Sequence, residues 1–198
     1  MKNLVIATTN KNKKKELRKL LKNVNVNILT LADLKMHIPY IIEDGKTFRQ
    51  NAVKKSLIFS RYTKDLVLAD DSGIMVQALS GKPGVRSARF AHSKATDIEN
   101  NRKLMKLMER IPQKNRQATF VCAIALSENG KLLGTASGEC KGMIGFESKG
   151  KNGFGYDPLF VPKGKIRTFA QYEESFKNRI SHRSIALKKA KSIILKYL

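Results

Sequence analysis

Residues 3–22, NLVIATTNKNKKKELRKLLK, decide the fold class of this 198-residue chain. The first five residues form an apolar run that is typical of a buried parallel strand. Thr8, Thr9 and Asn10 follow, all of them cap-forming residues, and leucines then recur at helical spacing between lysines. The stretch therefore predicts a strand, a polar turn and a helix over 11–22.

The rest of the chain alternates between strand-like and helical patterns. We expect strands over 25–29, 66–69, 118–126 and 131–140, helices over 47–64, 96–111 and 184–197, and glycine-rich loops over 79–90 and 142–157. Glu128-Asn129-Gly130 predicts a hairpin turn between the last two strands. Because a hairpin adds an antiparallel pair, the expected fold is α/β with a mixed sheet.

The helix predicted over 96–111 has a recognisable start and an apolar side. Thr96 and Glu99 have the spacing of a capping box. Five apolar residues follow helical periodicity and are assigned to the buried side: Ile98, Leu104, Met105, Leu107 and Met108.

Charge and composition restrict the class of partner. Lys and Arg number 39 against 16 Asp and Glu, a net charge of +23, which favours anionic partners. The lysines are spread along the whole chain, whereas a dedicated nucleic-acid surface is normally clustered, so we expect no specific nucleic-acid partner. No apolar run approaches the roughly 20 residues that span a bilayer, so no membrane partner is expected.

The N-terminus and the cysteines indicate the compartment. The chain begins directly with a strand-like segment and has no signal-peptide pattern. Cys122 and Cys140 lack the CxxC spacing, which favours two buried thiols in a reducing compartment. We therefore expect a cytoplasmic protein.

Four polar clusters each suit part of a nucleotide, and the first two suit phosphate and metal. The first comprises Thr8, Thr9, Asn10 and Lys13 at the strand-to-helix turn, whose donors at a helix N-terminus favour phosphate but also serve simply as a cap. The second, Asp70-Asp71-Ser72-Gly73, is expected at the C-terminal end of strand 66–69. Adjacent carboxylates there need a positive charge between them, for which Mg²⁺ is the usual solution, although a solvated turn is the alternative.

The other two clusters suit a base. Residues 153–158, GFGYDP, offer a close backbone approach, the rings of Phe154 and Tyr156 for stacking, and Asp157 as an acceptor, although a tight turn with core aromatic residues has the same pattern. The fourth cluster precedes the last helix and comprises Lys177, Ser181, His182 and Arg183. Lys and Arg suit a phosphate or a base carbonyl, and the histidine could donate to a base oxygen or serve as a cap.

Together and in this order, the clusters resemble the inosine-triphosphate pyrophosphatase family, the Ham1-like enzymes that remove purine nucleotides with altered bases. The matching stretches are ATTNKNKKKEL (7–17), GKTFRQNAVKKS (45–56), LADDSGIMVQALSGKPGVRSARF (68–90), NGFGYDPLF (152–160) and ISHRSIALKKA (180–190). The resemblance implies one domain over 1–198, with two α/β lobes around a long mixed sheet, a substrate cleft between the lobes, and a homodimer.

The resemblance also implies an activity and a site. The expected reaction converts ITP, dITP or XTP to the monophosphate and pyrophosphate with Mg²⁺ as cofactor. The residues implied for the triphosphate are Thr8, Thr9, Asn10, Lys11, Asn12, Lys13 and Lys55, and those implied for the rest of the substrate are Ser72, Phe154, Gly155, Tyr156, Asp157, Lys177, His182 and Arg183. Asp71 would bind Mg²⁺ and act as the base for the attacking water, and donors such as His182 and Arg183 would select a purine with a 6-carbonyl.

The sequence departs from the family pattern before the second helix. The family has Glu-Glu-Thr-Gly there, and its first Glu binds metal, whereas residues 42–45 here are Ile-Glu-Asp-Gly. We expect the metal to be held by Asp71 together with Glu43 or Asp44 or with Asp70. Gln50 also replaces a common Glu.

Three other interpretations remain open. One is a nucleotide pyrophosphatase of different base choice, for example one that acts on modified pyrimidines. Another is a basic nucleic-acid-binding module, which the net charge of +23 favours and the unclustered lysines disfavour. The third is an inactive relative that has lost its metal because of Ile42.

Overall fold

The structure, a computed structural model, describes residues 2–22, 24–34 and 39–198. The described helices are α1 (Lys11–Leu20), α2 (Phe48–Phe59), α3 (Asp97–Met108), α4 (Glu174–Ile180) and α5 (His182–Tyr197). The described strands are β1 (Asn3–Ile6), β2 (Asn27–Thr30), β3 (Leu66–Val76), β4 (Gln117–Glu128), β5 (Lys131–Ile144) and β6 (Phe160–Pro162).

The strands form a six-stranded sheet in the order β2-β1-β3-β4-β5-β6. β1 is parallel to both β2 and β3, and β5 is antiparallel to β6. β4 and β5 are neighbours joined at Asn129-Gly130, whose positive φ angles of 49° and 73° are those of a two-residue hairpin turn. The predicted α/β class, mixed sheet and hairpin are therefore confirmed.

The chain divides into two compact units, of which unit 1 comprises residues 1–71, 122–138 and 183–198. Its core joins β1, the start of β3 and part of β4 to one side of α1 and α5, with Leu4, Leu17, Leu68, Ile124 and Ile194 buried. Burial of each such side chain contributes about 1.5–3 kcal/mol, which holds the turn after β1 in place.

Unit 2 comprises residues 72–121 and 139–182. Its core is rich in aromatic rings. The Phe120 and Phe160 rings meet edge to face with centroids 4.6 Å apart, and the Phe169 ring lies 5.3 Å from that of Phe160. Leu104 and Met108 of α3 pack into the same cluster.

The single domain over 1–198 and the substrate cleft that the family resemblance implies stay predictions.

One predicted boundary is wrong, since β3 does not end at Ala69 but runs through residues 70–73 to Val76. Ile74 and Val76 are buried, and Met75 between them is exposed, so strand periodicity resumes after the polar residues. The expectation of a strand end arose from polarity alone. Asp70 and Asp71 therefore lie inside a strand, where successive side chains point to opposite faces.

The apolar side predicted for α3 is also partly wrong. Ile98 is 71% exposed and Leu107 is 46% exposed, although Leu104 and Met108 are buried as expected. The inward side includes Asn100 instead, whose amide accepts from the Ala91 N–H at 2.8 Å and donates to the Ala88 carbonyl at 3.2 Å. A buried amide satisfied by backbone groups costs little, so a polar residue takes an inward position.

The remaining predictions concern the start of α3, the loop over 79–90 and the two cysteines. The capping box is confirmed, with Thr96 and Glu99 bonded reciprocally. The loop predicted over 79–90 contains the 3₁₀ helix Gly84–Arg89 and begins at the last residue of another, Gln77–Leu79. Helix α4 and strand β6 were not predicted. Both cysteines are free and buried, as expected. Among the described residues, no helix has the length and apolar character needed to cross a membrane.

Candidate active site

The turn after β1 forms the N-terminal cap of α1. The Asn10 side-chain oxygen accepts from the backbone N–H groups of Asn12 and Lys13, each at 3.0 Å. The Thr8 hydroxyl accepts from the Asn10 N–H at 3.2 Å. Asn10 therefore serves as a cap, and Thr9, Lys11 and Asn12 are exposed around it.

Lys13 extends from this turn to β3, where its ammonium lies 3.1 Å from the Asp70 carboxylate. Arg183 approaches the same carboxylate at 3.5 Å and also forms an ion pair with Glu16. Lys13, Arg183, Asp70 and Glu16 thus form a largely buried network of ion pairs. The structure brings together the predicted residues Lys13, Asp70 and Arg183.

Glu16 is a member of this network that the sequence reasoning missed. It is the one acidic residue between Lys11 and Lys22, but its partner Arg183 lies 167 positions away in sequence. Burial of Glu16 requires such a cation, since charged groups are rarely buried unless paired.

The network keeps Asp70 ionised. Burial by itself would raise the pKa of Asp70, but Lys13, Arg183 and Lys55 together lower that pKa below its ordinary value. Adjacent carboxylates were expected to need a positive charge, and at Asp70 the side chains of Lys13, Arg183 and Lys55 supply it.

Asp71 has the opposite electrostatic character. Burial raises the pKa of Asp71 above its ordinary value, and the neighbouring Glu43 carboxylate raises it further, against the effect of Lys55 and Lys13. The Asn51 amide donates to Asp71 Oδ2 at 3.0 Å, and the Lys55 ammonium lies 4.0 Å from Oδ1. A carboxylate of raised pKa is suited to accept a proton.

Lys55, from α2, lies between Glu43 and the two aspartates, Asp70 and Asp71, and these four residues form one cluster. Its ammonium donates to the Asp70 backbone carbonyl at 2.6 Å and lies 3.1 Å from Glu43 Oε1. Glu43 therefore belongs to the cluster, whereas Ile42 is 63% exposed. Asp44 pairs with Lys54 at 2.6 Å and is largely exposed. Of the residues considered for the missing metal ligand, the geometry favours Glu43 over Asp44.

Glu43 and Asp71 fit the donor set of Mg²⁺. Both carboxylates lie within 4.0 Å of the same ammonium group, and Mg²⁺ commonly takes one or two carboxylates while water and phosphates complete its coordination. Within the described ranges, no group of three or more His, Cys, Asp or Glu side chains could hold a metal. Asp70 lies instead among Lys13, Lys55 and Arg183, so its assignment as a ligand stays a prediction.

The cluster predicted for the base lies in unit 2 and is held by an internal ion pair. Asp157 is buried and accepts from the Lys177 ammonium at 2.5 Å and from the Phe154 N–H at 2.9 Å. Lys177 also lies 4.6 Å from the centre of the Phe154 ring. At Gly153, with φ of +76°, an added Cβ would come within 2.0 Å of the Asp157 carboxylate, so only glycine fits.

The two aromatic residues of this segment differ in exposure. Phe154 is half-buried, whereas Tyr156 is buried and its hydroxyl donates to the Ser87 carbonyl at 2.8 Å. Burial raises the pKa of Tyr156. Phe154 is therefore the better candidate for stacking a base, and Tyr156 is a core residue.

Helix α3 fixes the glycine between these rings. The Gly155 N–H donates to Asp97 at 2.7 Å, and the Gly155 carbonyl accepts from the Asn101 amide at 2.9 Å. Neither Asp97 nor Asn101 was predicted to belong near the site, because their contacts are 58 and 54 residues distant in sequence.

The remaining predicted residues lie in different surroundings. The buried His182 ring stacks on that of Phe120, with centroids 4.7 Å apart and planes at 7°. Ser72 is half-buried in β3. His182 is thus a packing residue as well as a candidate donor.

A cavity of about 540 Å³ in unit 2 lies away from these residues. Its lining includes Gln117, Lys141, Lys163 and Lys165, and none of the predicted site residues borders it. This cavity is therefore not the predicted nucleotide site.

The chain belongs to the Ham1 family, since the model of that family matches residues 4–193. Among solved structures, a Ham1 protein from Coxiella burnetii superimposes with a TM-score of 0.88 at 36% identity, covering 99% of this chain and 100% of that one. A Ham1 protein from Staphylococcus aureus gives a TM-score of 0.86 at 33% identity, covering 100% of both chains.

Two relatives that are similar over nearly their full length are dITP/XTP pyrophosphatases. A dITP/XTP pyrophosphatase from Desulforamulus reducens is 49% identical over 192 residues, which cover 96% of this chain and 94% of the relative. A dITP/XTP pyrophosphatase from Geobacter sulfurreducens is 44% identical over 187 residues, covering 94% of each.

Proposed function

We propose that this protein is a nucleoside triphosphate pyrophosphatase that hydrolyses dITP, ITP and XTP to the monophosphate and pyrophosphate. The observation that carries the proposal is the buried Asp71, which lies with Glu43 around the Lys55 ammonium. Full-length similarity to dITP/XTP pyrophosphatases supports the choice of substrates.

Hydrolysis requires charge neutralisation and an activated water more than covalent help. When bound by Glu43 and Asp71, Mg²⁺ would supply charge neutralisation at the phosphates. Asp71 accepts a proton from water as the water oxygen bonds to the α-phosphorus, and the bond from that phosphorus to the bridging oxygen breaks to release pyrophosphate. Lys13 and Lys55 offset the negative charge on the triphosphate.

Rejection of adenine depends on the purine 6-position, whereas guanine shares the 6-carbonyl and must be rejected at the 2-position. Hypoxanthine and xanthine present a carbonyl there, whereas adenine presents an amino group that would leave a buried donor unpaired. Because the Arg183 guanidinium contacts Glu16 and Asp70, we assign the base contact to His182 in preference to Arg183. Phe154 would stack on the base, and Lys177 holds the Asp157 side of the loop.

Pyrophosphate release from ITP, dITP, XTP, GTP, ATP and dUTP, with and without Mg²⁺, tests this function. We expect Mg²⁺-dependent release from ITP, dITP and XTP, and little from ATP or GTP. Preferred hydrolysis of dUTP would support the pyrimidine alternative. No release from any nucleotide would contradict the proposal and favour an inactive relative.

The cellular compartment and the oligomeric state complete the proposal. We infer a cytoplasmic homodimer, which the family resemblance supports. Light scattering of the purified chain should give twice the mass of the chain, and a single-chain mass would contradict the dimer.

A further inference from the structure

Asn51 of α2 connects two parts of unit 1 through one side chain. It is 0% exposed. Its amide nitrogen donates to Asp71 Oδ2 at 3.0 Å, and its amide oxygen accepts from the Gly45 N–H at 2.8 Å. One amide thus joins β3 to the segment that carries Glu43.

Both ends of this contact require the residues that are present. An amide supplies a donor and an acceptor on two separate atoms, which an ionised carboxylate, a hydroxyl or an alkyl group does not. A Cβ at position 45 would lie 2.5 Å from Asn51 Oδ1, so the bridge also requires glycine there. Gly45 is needed for this close approach and not for a turn.

A neighbouring side chain holds the same segment without touching Asp71. Gln50 Oε1 accepts from the N–H groups of Lys46 and Thr47, at 2.8 and 3.1 Å. Successive N–H groups of residues 45–47 are thus held by Asn51 and Gln50. Asn51 both anchors the segment and contacts Asp71, whereas Gln50 anchors the segment without contacting Asp71. Variants of the two residues therefore separate anchoring of the segment from orientation of Asp71.

We propose that Asn51 is a positioning residue, which fixes the orientation of the Asp71 carboxylate and its spacing from Glu43; this inference rests on the proposed function. With Oδ2 held by Asn51, Oδ1 is the oxygen that faces Lys55. Replacement of a residue that hydrogen-bonds to a metal ligand and orients it typically lowers metal affinity or activity about 10–100-fold.

The test compares Asn51→Leu, Gly45→Ala and Gln50→Ala with the unaltered full-length protein. Thermal unfolding and circular dichroism first establish that each variant is folded. Three quantities are then measured: kcat, KM for ITP, and the affinity for Mn²⁺ without nucleotide, by calorimetry. We expect Asn51→Leu and Gly45→Ala to lower kcat and Mn²⁺ affinity about 10–100-fold with a smaller change in KM. Gln50→Ala should stay within about threefold of the unaltered protein, because its target N–H groups can bond to water.

Gly45→Ala keeps the inference testable even where Asn51→Leu does not fold, since it displaces the amide without removing it. Equal losses in Gln50→Ala would overturn the proposal, because anchoring of the segment alone would then explain the effect. Unchanged kcat and Mn²⁺ affinity in a folded Asn51→Leu or Gly45→Ala would overturn it as well. If the unaltered protein hydrolyses no nucleotide, the proposed function fails, while the Mn²⁺ measurement still decides whether Asn51 organises the two carboxylates.

Discussion

Replacement of Asp70 by Asn distinguishes a role in the ion-pair network from a role as a metal ligand. The substitution keeps the shape of the side chain and removes its charge. In the structure this charge faces Lys13 at 3.1 Å and Arg183 at 3.5 Å. If the network defines its role, Asp70→Asn leaves a buried excess of positive charge. If Asp70 instead served mainly to bind metal, the metal-free protein would lose a repulsion with Asp71 and would be as stable as before, or more so.

The expected magnitude follows from burial. The Asp70 side chain is fully buried, and those of Arg183 and Lys13 are 2% and 15% exposed. Removal of one partner from a buried ion pair typically costs 3–5 kcal/mol, and we expect about 3 kcal/mol because Arg183 keeps its contact with Glu16. Because Asp70 and Arg183 are buried and Lys13 is only 15% exposed, screening by solvent ions is weak.

Urea denaturation of the metal-free protein, with chelator present, measures this difference in the free energy of unfolding. Asp44→Asn is the matched control, because Asp44 forms a shorter pair with Lys54 that is largely exposed. That pair should contribute far less, since exposed ion pairs are weak. A loss below about 1 kcal/mol in Asp70→Asn would refute the reasoning from the network, given the 3–5 kcal/mol expected for a broken buried pair.

Three further predictions concern catalysis and pH. Asp71→Asn should abolish pyrophosphate release while circular dichroism stays unchanged, and retention of most activity would remove Asp71 as the base. Lys13→Ala should weaken binding of the triphosphate more than of the monophosphate in calorimetry; equal losses would place Lys13 away from the β- and γ-phosphates. Hydrogen bonds from Thr96 lower the pKa of Glu99 to about 2 from its ordinary 4.5, so its stabilising effect is complete above pH 4.5 and is lost as the pH falls towards 2. Melting temperatures of Glu99→Gln should thus lie below those of the unaltered protein at pH 6 and converge with them near pH 2, and a constant difference would contradict this interpretation.

Much of the fold follows from local patterns in the sequence. The apolar run of β1, the cap at Asn10, the capping box at Thr96 and the hairpin at Asn129 are each decided by residues a few positions apart. Local hydrogen bonding and backbone preference act over these same distances, which is why such elements can be predicted from one sequence.

Predictions based on polarity or periodicity alone were less accurate. Residues 70–73 suggested the end of a strand, but β3 continues because Ile74 and Val76 are buried beyond them. The periodicity of α3 placed Ile98 inside, whereas the buried amide of Asn100 occupies the inward side. Neither outcome is a property of the segment itself, since each depends on what packs against it.

The sequence by itself determined the α/β class and the segments that supply the candidate site, because motifs and short-range patterns are written along the chain. Only the tertiary structure decided what each charged residue does. Asp70 and Asp71 are neighbours in sequence, yet one joins Lys13 and Arg183 and the other joins Asn51 and Lys55. These partners lie up to 113 positions away from the aspartates. The free energy of a buried charge depends on groups within a few ångströms in space, which the fold brings together and the order of residues does not show.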